Sequence, residues 1–319
     1  MKSPAHDLRE RILIGVAAGT RRLPNFRGKV RALLALYRLL GLEPRHVVVP
    51  ATLHRPVRYR VHLDLFCLHE RMAYFMDRYE PGTVEFLAKM WREGETFIDV
   101  GANVGLIAIP FTRLCAARSP AQAGAAERPL TYGIEAVAGN ARSLAGNIAL
   151  NGLDARMRVV ETAVGECEKQ VEIQIEKNQK SGTGTGTANI LAAGSGFACE
   201  RIPLHVTTID RLVAEGRLPQ DCGLIKIDTD GYDLFALMGA RELLARARPV
   251  IYGEFMAHCL QWHGQSIHDV EAYLRPLRYR VFIRSAGWTF VPLKADSNYV
   301  QDALCIPEEK RERAAGCLA

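Results

Sequence analysis

Residues 97–105 constrain the fold of this chain more than any other stretch of the sequence. A short apolar run ends in the carboxylate of Asp99, turns through Gly101 and Gly105, and continues into a second apolar run. This order is typical of a buried parallel strand that passes into a helix beside a ligand-binding crevice. Gly101 permits a tight turn, and Gly105 permits a close approach of the helix to the sheet. We therefore predict an α/β fold with a cofactor site at the carboxyl edge of its strands.

The turn itself has the pattern G-x-N-x-G, with Asn103 at its centre. It lacks the G-x-G-x-x-G pattern that brings backbone against a pyrophosphate. A ligand with an amino group and a diol, but without a pyrophosphate, fits this turn better. S-adenosylmethionine is such a ligand, and an ordinary strand–turn–helix without a ligand is the alternative interpretation.

From residue 96 onward, apolar strand-like runs alternate with helical segments, which is typical of a parallel sheet with helices on both faces. We predict strands at 96–100, 131–135, 157–161, 170–175, 204–207, 223–228, 250–254, 279–284 and 288–292. Gly287 separates the last two, which indicates a C-terminal hairpin. Pro110 conflicts with a helix that begins near Asn103, because proline in a second helical turn costs about 3 kcal/mol. Either the loop is longer or the helix is kinked.

The N-terminal part of the chain is strongly basic. Residues 1–60 contain 13 Lys and Arg against 3 Asp and Glu; the whole chain carries +6, so the remainder sums to −4. This distribution argues against a nucleic-acid track across the main body, and we expect no nucleic-acid partner. The basic part could be a solvated helical face, a membrane-surface patch or a dock for an acidic substrate. We predict a helix at 29–41, strands at 47–49 and 58–66, and a helix at 81–91.

The sequence also bears on location. Its eight cysteines are scattered without a C-x-x-C pair or a zinc-ligand spacing, which is typical of reduced thiols. The apolar residues 12–19 are too few to span a bilayer. We expect a cytoplasmic protein without a transmembrane segment.

Two further groups of charged residues follow predicted strands. Glu135 ends the second strand of the predicted sheet, where a carboxylate can accept both hydroxyls of a ribose. Lys226 and Asp228 lie two residues apart, so their side chains share one face of a strand. Asp230 follows in the next turn, and Glu254 ends the next strand. Such charges are costly to bury unless they meet one another or a ligand, so a structural ion-pair network is the alternative to a catalytic site.

Together these blocks resemble the FkbM family of class I, S-adenosylmethionine-dependent methyltransferases. The first family signature is matched by residues 98–105, and the third resembles residues 225–231. The second signature is approached at Glu135, Leu144, Asn147 and Asn151. The third continues through Leu237, Gly239, Ala240, Leu243, Leu244, Pro249 and Glu254. The likeness covers about residues 85–255, more than half of the chain.

The chain departs from the family pattern at a few positions. Ala136 and Ala138 stand where the family often has prolines, and residues 229–231 read Thr-Asp-Gly in place of Val-Glu-Gly. Asp233 replaces a usual glutamate. These departures leave the residues expected to bind the cofactor unchanged. At two positions expected near the acceptor, the acidic side chain is one methylene shorter than in the family.

The resemblance implies a Rossmann-like fold with a mostly parallel seven-stranded sheet, helices on both faces, a C-terminal antiparallel hairpin and an N-terminal cap. It implies three parts: a basic extension or cap at 1–80, an FkbM-like methyltransferase domain at 81–306 and a charged tail at 307–319. The implied activity is S-adenosylmethionine-dependent methyl transfer to a hydroxyl of a sugar, glycan or natural product.

The resemblance also implies residue roles. The methionine part of the cofactor would be held by Asp99, Gly101, Asn103 and Gly105, the ribose by Glu135, and the adenine would lie near Ala163. Asp228 would face the reacting methyl group and the acceptor, supported by Lys226, Asp230 and Glu254.

Alternatives remain at this point. A nicotinamide-dependent oxidoreductase on a similar sheet and a non-catalytic cofactor-binding module are the competing functions.

Several acids together could instead bind a divalent cation, but no spacing demands one, and we predict no metal site. The glycine-rich residues 181–187 suit a loop that closes over the acceptor or a plain connection. His258, His263 and His268 are predicted to be surface or packing residues.

Overall fold

A computed structural model of the chain describes residues 8–26, 28–39, 46–118, 129–176, 188–189, 199–297 and 302–319. The strands are β1 (Val48–Leu53), β2 (Tyr59–Asp64), β3 (Thr96–Val100), β4 (Thr131–Glu135), β5 (Met157–Glu161), β6 (Ala163–Val164), β7 (Lys169–Glu176), β8 (Ala188–Asn189), β9 (Cys199–Thr207), β10 (Cys222–Ile227), β11 (Val250–Glu254), β12 (Tyr279–Arg284), β13 (Phe290–Pro292) and β14 (Asp302–Pro307). The α-helices are α1 (Leu8–Arg21), α2 (Lys29–Leu39), α3 (Leu68–Met76), α4 (Thr83–Met90), α5 (Ala108–Ala116), α6 (Ala138–Leu150), α7 (Ile209–Ala214), α8 (Asp233–Met238), α9 (Arg241–Ala247), α10 (Ala257–Gln261) and α11 (Ile267–Leu274). Short 3-10 helices lie at Arg275–Leu277 and Glu308–Ala314.

The centre of the structure is an eight-stranded sheet with the strand order β13-β12-β14-β11-β10-β3-β4-β5. Strands β5, β4, β3, β10 and β11 are mutually parallel, so their carboxyl ends meet at one edge. Apolar side chains on both faces of these strands are buried, as expected for a parallel sheet covered by helices. This confirms the predicted α/β fold with a mostly parallel sheet, with eight strands in the main sheet where seven were expected.

Three segments differ from the predicted arrangement. The strands predicted at 170–175 and 204–207 exist, but they pair antiparallel with each other in a separate four-stranded sheet. The strand β14 was not predicted, and it lies between β11 and β12, antiparallel to both. The predicted C-terminal hairpin is formed by β12 and β13.

Pro110 lies in the first turn of α5, because the helix begins at Ala108 and not near Asn103. The first backbone N–H groups of a helix have no partner within the helix, so a proline there removes no hydrogen bond. The longer loop, and not a kinked helix, resolves the conflict.

The N-terminal segment packs against the sheet domain. The hairpin β1–β2 lies beside α6, where Asn147 Oδ1 accepts a hydrogen bond from the backbone N–H of His62 at 2.8 Å. Leu13 of α1 and Leu33 of α2 belong to the same core cluster as Ile148 of α6. The helix α3, which was not predicted, connects this hairpin to the site. The three-part division at residues 80 and 306 stays a prediction.

In the part of the chain that the structure describes, no helix is long and apolar enough to cross a membrane.

Candidate active site

A cavity of about 430 Å³ lies at the carboxyl edge of the parallel strands. Its walls come from the loops after β3, β4, β10 and β11, from the start of β6, and from the segment at residues 69–80. In open α/β sheets this edge is where ligands bind, and the volume is in the range of small-molecule sites.

Asp99 sits inside this cavity without a hydrogen-bond partner. Its side chain is 1% exposed, and neither carboxylate oxygen accepts a hydrogen bond from the described residues. The neighbouring cation is Lys226, whose Nζ lies 3.4 Å from Asp99 Oδ1 because β3 and β10 are paired at these two residues. Burial raises the pKa of Asp99, and Lys226 opposes that shift. Asn103 Oδ1 is also buried without a partner. Unpaired buried polar atoms that line a cavity indicate a missing polar ligand.

The turn after β3 requires glycine at Gly101. Its φ is +82°, and a Cβ there would lie 1.9 Å from the backbone carbonyl oxygen of Asp228. The turn therefore brings the ends of β3 and β10 into backbone contact. Gly105 does not line the cavity. A Cβ at Gly105 would lie 2.6 Å from Leu144 Cδ1 and 2.7 Å from Ile109 Cδ1, so this glycine permits close packing of the turn on α5 and α6.

Glu135 is held in place by three donors. Its Oε2 accepts the backbone N–H of Asn103 at 2.9 Å, and its Oε1 accepts the backbone N–H of Val137 at 2.9 Å and Asn140 Nδ2 at 3.4 Å. Burial raises the pKa of Glu135, and these hydrogen bonds counteract the shift. Ala163 is buried and lines the same cavity.

These groups fit S-adenosylmethionine. Asp99 and Asn103 offer unpaired oxygens that can accept hydrogen bonds from its ammonium group, and the fixed carboxylate of Glu135 suits its ribose diol.

Lys226 is the centre of the charged group after β10. Its Nζ lies 3.2 Å from Asp228 Oδ2, which agrees with their predicted common face. Burial acts against the charged form, but Asp228, Asp99 and Glu80 together hold the pKa of Lys226 well above its ordinary value. A buried ammonium with three acidic neighbours is stabilised as a cation.

Asp230 lies in a crowded acidic environment. Burial, followed by the charges of Asp228, Asp233 and Glu254, raises the pKa of Asp230 to about 8. Burial and the neighbouring carboxylates therefore favour the protonated form of Asp230, which can donate a hydrogen bond. Glu254 lines the cavity on the same side.

Asp233 organises the loop that carries these acids. Its Oδ1 accepts hydrogen bonds from the backbone N–H and the hydroxyl of Thr229, both at 2.8 Å, and its Oδ2 accepts from Gly231 N at 3.1 Å. Burial raises the pKa of Asp233 to about 6. It does not line the cavity, so its role in this structure is to hold the turn.

Part of the cavity wall comes from the N-terminal segment, which the sequence motifs do not predict. His69, Tyr79 and Glu80 line the cavity opposite the strand ends. Burial lowers the pKa of His69 and raises that of Glu80, and both residues lie within electrostatic reach of Asp228. No sequence spacing links these positions to the strand ends, because tertiary packing of α3 brings them there.

His258, His263 and His268 do not line the cavity. His263 packs edge-on against the rings of Tyr232 and Phe235, each at 5.6 Å between centroids. Among the described residues, no group of three His, Cys, Asp or Glu side chains could hold a metal ion. The glycine-rich residues 181–187 fall outside the described residues.

Comparison with known structures finds matches at low identity and low TM-score. They include the FkbM methyltransferase of Methylobacillus flagellatus (15% identity, TM-score 0.41, covering 75% of this chain and 52% of that one). They also include an O-methyltransferase of Bacillus cereus in complex with SAH (14% identity, TM-score 0.39, covering 94% and 100%). A third is a SAM-dependent methyltransferase of Aquifex aeolicus (11% identity, TM-score 0.37, covering 72% and 94%). The chain thus spans about half the length of the first of these proteins. No curated protein sequence matches the chain.

The family comparison is more informative. Residues 99–281 match the Methyltransferase FkbM domain, and this range begins at Asp99 and includes Glu135 and the charged group after β10. It favours methyl transfer over the nicotinamide-dependent oxidation that the sequence left open. Because the match covers more than half of the chain, the protein belongs to the FkbM family of S-adenosylmethionine-dependent methyltransferases.

Proposed function

We propose that this protein is an O-methyltransferase that methylates a hydroxyl group of a sugar, glycan or other small natural product. The observation that carries the proposal is the row of charges Asp99–Lys226–Asp228, in which buried Asp99 and Lys226 lie 3.4 Å apart and Lys226 lies 3.2 Å from half-buried Asp228. It joins the turn that fits S-adenosylmethionine to a second, acid-lined part of the same cavity. A small-molecule or glycan acceptor and a cytoplasmic location go with this proposal.

The cofactor side would be formed by the turn after β3 and by Glu135. Asp99 and Asn103 would accept hydrogen bonds from the amino group, Gly101 would let the ligand approach the backbone, and Glu135 would bind the ribose hydroxyls. The adenine would lie near Ala163. The support for these roles is that Asp99 and the buried Oδ1 of Asn103 accept no hydrogen bond from the described residues, and that Glu135 has a fixed orientation.

The acceptor side would be formed by Asp228, Asp230 and Glu254 facing the N-terminal segment. In this proposal Asp228 accepts the hydroxyl proton, and Lys226 holds its carboxylate in position at 3.2 Å. Protonated Asp230 donates a hydrogen bond to a neighbouring oxygen of the acceptor, and Glu254 contributes further acceptor oxygens. A surface rich in carboxylates suits a polyhydroxylated molecule, because carboxylate oxygens bind vicinal hydroxyls.

S-adenosylmethionine supplies an electrophilic methyl carbon on a positively charged sulfur. The residues of the chain must then align the acceptor oxygen with that carbon and take up the hydroxyl proton. Alignment contributes about 7–11 kcal/mol in favourable cases, and a positioned base contributes about 10²–10⁴-fold in rate.

The test combines cofactor binding with transfer of a labelled methyl group to a panel of hydroxylated acceptors. Asp99→Ala should weaken S-adenosylmethionine binding at least about 100-fold, because it removes a buried charged partner. Asp228→Asn should keep that affinity within about threefold and lower kcat by about 10²–10⁴. The matched control is Asp154→Ala, at an exposed aspartate outside the cavity.

Three outcomes would contradict the proposal. Normal cofactor affinity in Asp99→Ala would remove the assigned cofactor side. An unchanged kcat in Asp228→Asn would remove the assigned base. Label that appears on nitrogen or carbon, and not on oxygen, would exclude O-methyl transfer.

A further inference from the structure

The helices α1 and α2 expose a set of large apolar side chains that the function above does not use. Of the ten exposed large hydrophobic residues among those described, six lie between residues 8 and 39. They are Leu8, Ile12, Leu23, Phe26, Leu36 and Leu39. We call this set the N-terminal apolar face. In the same helices, Leu13, Ala17 and Leu33 are buried against the body of the protein.

Hydrogen bonds from Lys29 hold the segment around Leu23 in a defined conformation. Lys29 is 1% exposed, and its ammonium donates to the carbonyl oxygens of Leu23 at 2.7 Å, Phe75 at 2.9 Å and Arg21 at 3.3 Å, and to Asn25 Oδ1 at 3.1 Å. A buried ammonium with four acceptors fixes residues 21–25 against the end of α3.

A second ion pair reinforces this arrangement. Arg21 pairs with Asp77 at 2.9 Å and donates to the carbonyl oxygen of Thr52. Leu23 and Phe26 are therefore 48% and 51% exposed on a structured loop. Their exposure is a property of the folded chain.

The charge of the segment that carries this face is mostly positive. Residues 8–39 contain eight Lys and Arg, and Glu10 is their sole acidic residue. Arg11, Arg22 and Arg31 are exposed beside the apolar side chains. Apolar side chains next to unopposed cations match the interface of an anionic lipid bilayer, which offers acyl chains below a layer of phosphates. A nucleic acid would leave the leucines and Phe26 without a partner.

We propose that the N-terminal apolar face docks the protein on an anionic membrane surface. Leu23 and Phe26 enter the boundary between headgroups and acyl chains, and Arg22 and Arg31 contact lipid phosphates. The helix α1 packs on α3, which carries His69 on the cavity wall, so one element supports both the docking surface and the site.

The experiment is flotation of the full chain with two kinds of vesicle, phosphatidylcholine alone and phosphatidylcholine mixed with phosphatidylglycerol. We expect flotation with the anionic vesicles, little with the neutral ones, and weakening by added salt. Leu23→Ser and Phe26→Ser should each lower the partition coefficient about tenfold, since each removes apolar area from the interface. Arg22→Glu should lower it by about fivefold or more.

The controls match these changes in chemistry. Met238→Ser changes another exposed apolar side chain, and Arg142→Glu another exposed arginine, and both should float like the unchanged protein. Each variant is checked for S-adenosylmethionine affinity, which reports intact folding and is independent of lipid binding.

Two results would overturn the proposal. One is equal flotation with neutral and anionic vesicles, or none with either. The other is that Leu23→Ser and Phe26→Ser abolish self-association, as measured by sedimentation, but leave vesicle binding unchanged. That result would mean that a second copy of the chain, and not a membrane, covers this face. A failure of methyl transfer alone would leave this proposal untouched and would count against the proposed function.

Discussion

The carboxylates at the two sides of the cavity are held by different means. Glu135, at the end of β4, receives two backbone N–H groups and a side-chain amide, so its position follows from the course of the chain. After β10, Asp228 is held by the ammonium of Lys226, and Asp230 is surrounded by like charges. The first side is fixed by backbone geometry, and the second by a balance of charges. The proposed cofactor side should therefore respond to changes of shape, and the proposed acceptor side to changes of pH.

The largest effect on cofactor binding is expected from a change at Gly101, where the ends of β3 and β10 meet. Gly101→Ala would place a methyl group 1.9 Å from the Asp228 carbonyl oxygen at a φ of +82°. The ends of β3 and β10 would have to separate, so S-adenosylmethionine binding should fall at least about 100-fold, together with a loss of several kcal/mol in unfolding free energy. Calorimetric titration and thermal unfolding measure both.

Gly139→Ala is the matched control for this change. Gly139 lies in α6, and a Cβ there meets no atom within 4 Å. Alanine is a better helix former than glycine, so stability should stay equal or rise by up to about 1 kcal/mol. Near-normal binding in Gly101→Ala would show that the backbone contact does not shape the site.

A smaller effect is expected from Glu135→Gln. The amide has one oxygen, so the backbone N–H of either Asn103 or Val137 loses its acceptor, and the affinity for S-adenosylmethionine should fall about tenfold. Glu161→Gln is the control, because this exposed residue pairs with Glu135 in the sheet register. Equal affinities in the two variants would mean that the fixed carboxylate does not contact the ligand.

The smallest effect is expected from Asp230→Asn, on the pH dependence of thermal stability. This change tests the balance of charges around Asp230 separately from the shape of the site. The folded pKa of about 8 exceeds the ordinary value of 3.8, so the folded protein keeps a proton that the unfolded chain loses. Stability contributed by this group is present below about pH 4 and is lost as the pH rises to about 8. Asparagine has no proton to lose, so the variant should gain roughly 5 °C in Tm near pH 8 and little near pH 4.

Thermal unfolding of ligand-free protein at both pH values measures this difference, with Asp154→Asn as the exposed control. A gain of equal size at both pH values would point to altered packing and would argue against charge crowding at Asp230.

The sequence predicts best where the decisive contacts are local. The strand, turn and helix around Asp99 and the positions of Glu135 and Asp228 follow from apolar runs and glycines within a few residues. The sequence predicted a conflict between Pro110 and a helix that begins near Asn103. The apolar pattern did not show that the loop before α5 extends to residue 107. His69, Tyr79 and Glu80 were missed because α3 brings them to the cavity from a distant part of the chain, and no short-range pattern encodes that packing.

The insertion of β14 has a consequence for how the sheet is completed during synthesis. The strands β11 and β12 do not pair with each other, because residues 302–307 lie between them. While the ribosome is still making the chain, β11 therefore presents an open edge, and the β12–β13 hairpin has no neighbour to join it to the sheet. Unpaired edges invite association with other chains, so β14 both covers the edge of β11 and joins the hairpin to the sheet.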